Sequence, residues 1–311
     1  MINFIDGVSL SKLCDYSFGD QASIICNIDG GYMKKANLCN TEFISKLQEI
    51  KKQRKYMTLF IDNIRLYKRD LNIKNLNDKI WIDNLMNDND LLNLCSHFSE
   101  MNFIIFCNLE DSPIDNFIEG KIPSNVLGIY AANAVFNNDK VHPFPYGIQR
   151  KMNFSDQRYD ILKNKINNSI IPKKLLYINH NINTNYKERH YIYDLFKDKP
   201  WATPISSNLE YENFINNILN HKFMICPVGN AIDCHRNWEV LYLKRVPIML
   251  KNNYLELLFK DFPVLFVEKF SDVTEDLLLD NENVFNLALN LNLDKLNLEK
   301  KFTNIVKSHI C

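Results

Sequence analysis

Short, uninterrupted apolar runs recur along this chain, each followed after a polar turn by a stretch whose apolar positions return every three or four residues. Runs without alternation are what strands buried on both faces of a parallel sheet require, and the longer spacing marks the helices that cover them. In the first half, residues 22–28 (ASIICNI), 57–61 (MTLFI), 102–107 (NFIIFC) and 126–130 (VLGIY) predict strands, with helices over 41–55 and 80–98. Residues 141–148 (VHPFPYGI) carry two prolines and a glycine, which suits a rigid crossover better than a central strand. A connecting helix over 156–166 leads to a second series, with strands at 175–179, 201–204, 223–226, 246–250 and 264–267. Helices are expected over 187–197, 209–219 and 254–259, and the remainder to 310 reads as helical. This alternation predicts an α/β chain of two Rossmann-like domains with mostly parallel sheets, residues 1–150 and 151–311, and a cleft between them.

The chemistry concentrates in residues 222–250, KFMICPVGNAIDCHRNWEVLYLKRVPIML, a strand, a glycine-bearing loop, a helix and a second strand. Asp233 is a good N-cap, Trp238, Leu241 and Tyr242 fall on one helix face, and Lys244 and Arg245 are expected in the last turn, where cations favour the dipole. The loop therefore brings a helix N-terminus to the C-terminal edge of a strand. Open α/β sheets bind ligands at that edge, and the backbone N–H groups of a helix start attract phosphate. Arg236 and Glu239, three residues apart, project from one side of the helix. The guanidinium suits a diphosphate and the carboxylate suits the two hydroxyls of a ribose, although an i, i+3 surface ion pair is the plainer alternative.

The run Cys226-Pro227-x-Gly229-Asn230-x-Ile232-Asp233-x-His235-Arg236-x-Trp238-Glu239, followed by an apolar helix and Val246-Pro247-Ile248, resembles the donor-binding signature of exostosin-like glycosyltransferases. The resemblance extends more weakly to Leu175-Leu176-Tyr177-Ile178-Asn179-His180-Asn181-x-x-Thr184-Asn185 with Arg189 behind it, and to His142-Pro143-Phe144-Pro145-Tyr146-Gly147-Ile148. It covers about residues 100 to 275. It implies a GT-B enzyme that takes a nucleotide-sugar donor, with UDP favoured, and a glycan or glycoconjugate acceptor, and inverts the anomeric centre. Many relatives carry a second glycine where Ala231 stands, and a glycine before the final strand where this chain has Lys244-Arg245.

Balanced charge, 37 basic against 37 acidic side chains, gives no reason to expect a nucleic-acid partner. Eight cysteines without a CxxC pair read as free thiols, and no stretch has the length of a membrane span, so a cytoplasmic protein is expected. Around the glycine loop the candidate donor-binding residues are Gly229, Asn230, Asp233, His235, Arg236 and Glu239. From the βα loop after residue 179 come Asn179, Asn181, Thr184 and Arg189, for which an ordinary loop with Arg189 paired on its own helix is the alternative. Cys226, Cys234 and His235 straddle a strand, loop and helix, a poor metal set, and Asp88-Asn89-Asp90 has no strand before it to present a metal-bridging DxD. No cofactor is then required.

Inversion needs a general base for the acceptor hydroxyl. Asp111, beside Glu110 after the 102–107 strand, is the candidate, against a turn-forming Asp before Ser-Pro. A catalytically silent nucleotide- or carbohydrate-binding scaffold is the competing function class.

Overall fold

A computed structural model describes residues 3–18, 41–61, 91–108, 111, 113–149, 157–166, 170–205 and 209–310. The expected strand at 22–28, most of the helix expected over 80–98, the Asp88–Asp90 triplet, Glu110 and Ser112 lie outside them. The chain separates into two compact units, one of Ile5–Tyr146 with Leu298–Cys311, the other of Gly147–Asn297 with Met1–Phe4. The helix Leu298–Ile310 thus belongs with the first unit, not with the residues that precede it.

The first unit contains α1 (Gly7–Leu13), β1 (Tyr16–Ser17), α2 (Thr41–Lys51), β2 (Tyr56–Ile61), α3 (Leu91–Ser96), β3 (Asn102–Cys107), β4 (Val126–Ala131) and β5 (Val141–Pro143). Its strands lie in chain order, β1-β2-β3-β4-β5, every pair parallel. Beyond their first residue, β2 and β3 are buried throughout, as their unbroken apolar runs require. Where a crossover was expected, Val141–Pro143 forms a short edge strand, and Pro143 is tolerated there because it ends the pairing. Leu298–Ile310 lays Leu298, Phe302, Ile305 and Val306 onto the cluster of Ile5, Leu10, Phe60, Ile104, Phe106 and Phe144.

The second unit runs α4 (Gln157–Lys165), β6 (Lys174–Asn179), α5 (Tyr186–Phe196), β7 (Ala202–Ile205), α6 (Tyr211–Asn220), β8 (His221–Ile225), α7 (His235–Tyr242), β9 (Val246–Leu250), α8 (Asn253–Leu258), β10 (Leu265–Val267), α9 (Glu275–Asp280) and α10 (Glu282–Leu289). The helix Leu298–Ile310, α11, closes the described chain. The second sheet is ordered β7-β6-β8-β9-β10 with every pair parallel. The order reverses between β6 and β8, the switch point of a doubly wound Rossmann-like sheet, where the connections leaving the two strands diverge. Phe4 stands edge-on to Tyr159 and Tyr242 at 4.9 and 4.7 Å, tying the start of the described chain into this unit. Among the described residues no helix is long and apolar enough to cross a membrane.

Lys244 and Arg245 lie beyond α7 rather than in its last turn. Lys244 has φ +57°, its N–H bonds the Leu241 carbonyl at 3.0 Å, and the Arg245 N–H reaches back to Val240 at 3.0 Å. This is a Schellman stop, whose left-handed residue is ordinarily glycine because a Cβ there crowds the following carbonyl. The lysine therefore keeps the geometry at a cost in strain. Arg245, 3 % exposed, gives its guanidinium hydrogens to the carbonyls of Leu219, Leu243, Lys244 and Ile170, placing a cation where α6 and α7 end. Lys244→Gly is expected to raise the unfolding free energy by about 1 kcal/mol. Urea denaturation checks this, and a lower midpoint in the variant would contradict the strain.

Candidate functional site

Two loops flank the switch point. One follows β6 and runs through His180 to Asn185, whose left-handed backbone (φ 57°) starts α5; the other follows β8 from Cys226 to Cys234, the N-cap of α7. Arg189 on α5 locks them together. Its Nη1 donates to the Asn181 carbonyl at 2.8 Å and to Thr184 Oγ1, and its Nε donates to the Val228 carbonyl at 3.1 Å. Thr184 Oγ1 in turn donates to the Asn181 carbonyl at 3.1 Å, and the Asn181 side chain caps the Asn183 N–H at 3.0 Å. Gly229 is explained by this lock: a Cβ there would lie 2.9 Å from Arg189 Nη2 and 3.3 Å from Cys234 Sγ. Close approach, not a positive φ, demands the glycine. Asn230 is exposed, Asn179 is buried at the end of β6, and Ala231 is buried with its carbonyl accepting the Gly229 N–H at 3.0 Å.

Asp233 does not cap α7. It is fully buried, and its carboxylate accepts from Trp238 Nε1 at 2.9 and 2.8 Å and from Asn237 Nδ2 at 3.1 Å. A buried indole N–H must find an acceptor, and that need outweighs the exposed-cap role. The carboxylate is therefore spent on side chains of the helix and does not cap its start. Arg236 Nε and Nη1 are shielded from solvent and have no hydrogen-bond partner among the described residues. The alternative of a surface ion pair with Arg236 does not hold among the described residues, for Glu239, 6 % exposed, accepts from Tyr211 Oη at 2.9 Å instead. Arg158 stacks over that tyrosine at 5.1 Å. Burial pushes the Glu239 carboxyl upward, opposed by the Tyr211 hydrogen bond and by the charges of Arg236 and Arg158.

Arg189 is lowered to about 10, by burial first and by Arg236 second, so the two guanidiniums act on each other. Two further residues join them that sequence inspection passed over. Tyr177, on β6, is fully buried with its hydroxyl unpartnered, and His180, the first residue after β6, is 5 % exposed with Nδ1 unpartnered. Burial and then the two arginine charges, against a bond to the Arg189 carbonyl, hold His180 at about 4. The signal available was position: both sit at the carboxyl half of a strand beside the glycine loop.

His235 turns its Nδ1 to the Gly147 carbonyl at 2.7 Å, and Cys234 Sγ points at the Pro227 and Ala231 carbonyls, so the Cys-Cys-His grouping is dispersed. Asp111, in the first unit, is half-buried and its Oδ1 accepts from Tyr146 Oη at 3.2 Å. No protein-family model and no curated protein sequence matches the chain.

The buried imidazoles give the ligand-free protein a defined acid response. His221, 1 % exposed, is also held at about 4, by burial first. Between their ordinary 6.5 and about 4 the unfolded chain binds protons that the folded chain refuses. Their stabilising contribution is thus intact above pH 6.5 and lost as the pH falls through about 4, each imidazole adding a slope approaching about 1.4 kcal/mol per pH unit. Urea titrations at pH 7, 6 and 5 measure the slope, and His221→Gln should reduce it by about one proton. An unchanged slope in that variant would rule out a buried neutral His221.

Proposed function

We propose that this protein is a glycosyltransferase that binds a nucleotide sugar, a UDP-sugar by preference, at the β6–β8 switch point and transfers the sugar to a hydroxyl of a glycan or glycoconjugate. The observation that carries the proposal is the pair of buried, unpartnered nitrogens on Arg236 beside the buried charge of Arg189. Leaving buried charge-bearing donors unsatisfied costs about 1–3 kcal/mol or more, a cost that persists in enzymes where a ligand supplies the acceptors. A diphosphate meets that need, and the same guanidiniums stabilise the charge that grows on it as the sugar departs. No metal is required for that role. Glu239, anchored by Tyr211, has oxygen capacity left for ribose hydroxyls. The resemblance of residues 226–239 to the exostosin donor signature supports the same chemistry.

In this proposal the two parallel-sheet units are the halves of a GT-B enzyme, and Asp111 takes the proton of the attacking hydroxyl, with inversion at the anomeric carbon.

A thermal-shift panel of UDP, GDP, CMP and dTDP and their sugars is the first experiment. One nucleotide family should stabilise the wild type by about 2.7 kcal/mol at a hundredfold excess over Kd, a rise of several degrees. Arg236→Met should lose the shift while the ligand-free variant unfolds at the same or a higher temperature, because the substitution removes an unsatisfied cation. A well-folded wild type that responds to none of them would sink the donor site. For the acceptor side, Asp111→Asn should lower transfer by about a hundredfold or more with donor affinity unchanged, and undiminished turnover would remove Asp111 from the mechanism.

A further inference from the structure

We infer that His180 is a proton-linked part of the anion site: its Nδ1 takes a proton from solvent when a diphosphate binds, so that an imidazolium joins the two guanidiniums around the ligand. The inference rests on the anion-binding role proposed above and goes beyond it by assigning His180 and Tyr177 and by adding a proton to the binding reaction.

The tautomer is fixed by the backbone. His180 Nε2 lies 2.9 Å from the Arg189 carbonyl oxygen, which only accepts, so Nε2 carries the hydrogen and Nδ1 of the neutral ring is a bare lone pair. That lone pair is sealed from water and unpartnered, as are the Tyr177 hydroxyl and the Nε and Nη1 of Arg236. An unpartnered atom is costly inside a protein, and among the described residues these four lie on Arg236 and on the two residues that its charge reaches, Tyr177 and His180, so that one anion can serve them all. The charged and titratable groups that act on His180 are Arg189 from α5 and Arg236 from α7, and Arg236 also acts on Tyr177 from β6. Both act in one direction: a third cation is unfavourable beside two guanidiniums. A diphosphate reverses that balance, since its negative charge offsets the guanidiniums and offers oxygens to an Nδ1–H and to the tyrosine hydroxyl. Burial keeps the Cys226 and Cys234 thiols above their usual range and therefore protonated, and because it also pushes the Glu239 and Glu188 carboxyls upward, the His180 resonance itself is the readout that assigns the proton.

Linkage makes the effect reciprocal, so the anion raises the proton affinity of His180 by the factor by which the proton raises affinity for the anion. Tyr177 stays protonated throughout and donates. The inference separates this site from an arginine pair that simply attracts anions, whose affinity would follow only the ligand's own ionisation.

The test uses inorganic pyrophosphate and imidazole NMR on histidine-labelled full-length protein, with His180→Gln identifying the resonance. The wild-type His180 signal should be flat above about pH 5 without pyrophosphate and should titrate at least one pH unit higher with it. Pyrophosphate affinity of the wild type should then improve on acidification relative to His180→Gln, approaching tenfold per pH unit across the window. Should His180→Gln fail to fold, proton uptake by the wild type alone, from calorimetry in buffers of different ionisation enthalpy, gives the answer: uptake beyond that of pyrophosphate itself is expected. If pyrophosphate binds in an Arg236-dependent way but the His180 signal does not move, or uptake equals that of the ligand alone, this inference is wrong and the donor site stands. If a folded wild type binds no pyrophosphate, both fall together.

Discussion

Arg189 gives its guanidinium hydrogens to the backbone oxygens of Asn181 and Val228 and to the Thr184 hydroxyl, all of them neutral acceptors. Such charge-assisted bonds are each worth about 1.5–3 kcal/mol, enough to hold two irregular loops in register, yet they cancel none of the positive charge. The residue that shapes the site is therefore also the one that charges it. Gly229 leaves room for the guanidinium, Arg236 adds to its field, and His180 is kept neutral by burial first, with the two arginine charges acting in the same direction.

Strand order explains why this happens in one unit. In the first sheet the described strands follow the chain order, with no reversal among them. In the second sheet β6 has β7 on one side and β8 on the other, and the connections part between β6 and β8. Tyr177 and His180 come from one side of that parting and Arg236 from the other. The divergence is a property of strand order, and Arg189 and Arg236 place positive charge beside it.

Much of this was legible from residues alone. The strands at 102–107 and 246–250 match their expected bounds, because a run buried on both faces has little choice of register or ends. Arg236 was legible from its spacing to Glu239 and its place after a glycine loop. Other features were not, and the reasons are physical. An Asp just ahead of a helix is a good cap by local rules, but the indole of Trp238 five residues on lies in the core and claims the carboxylate. For Arg189 the sequence leaves a donor-binding role and pairing with a carboxylate on its own helix both open, whereas its partners are two carbonyls and the Thr184 hydroxyl, whose positions depend on the fold of two loops. The importance of His180 depends on which strand lies beside β6, and periodicity carries no information about neighbours.

The helix Leu298–Ile310 completes the apolar cluster around Phe60, Ile104, Phe106 and Phe144, while Phe4 is held between Tyr159 and Tyr242 in the other unit. Neither unit is a continuous piece of polypeptide. During synthesis the first sheet must therefore wait, with part of its core bare, until the whole second unit has left the ribosome and the helix that covers it has followed.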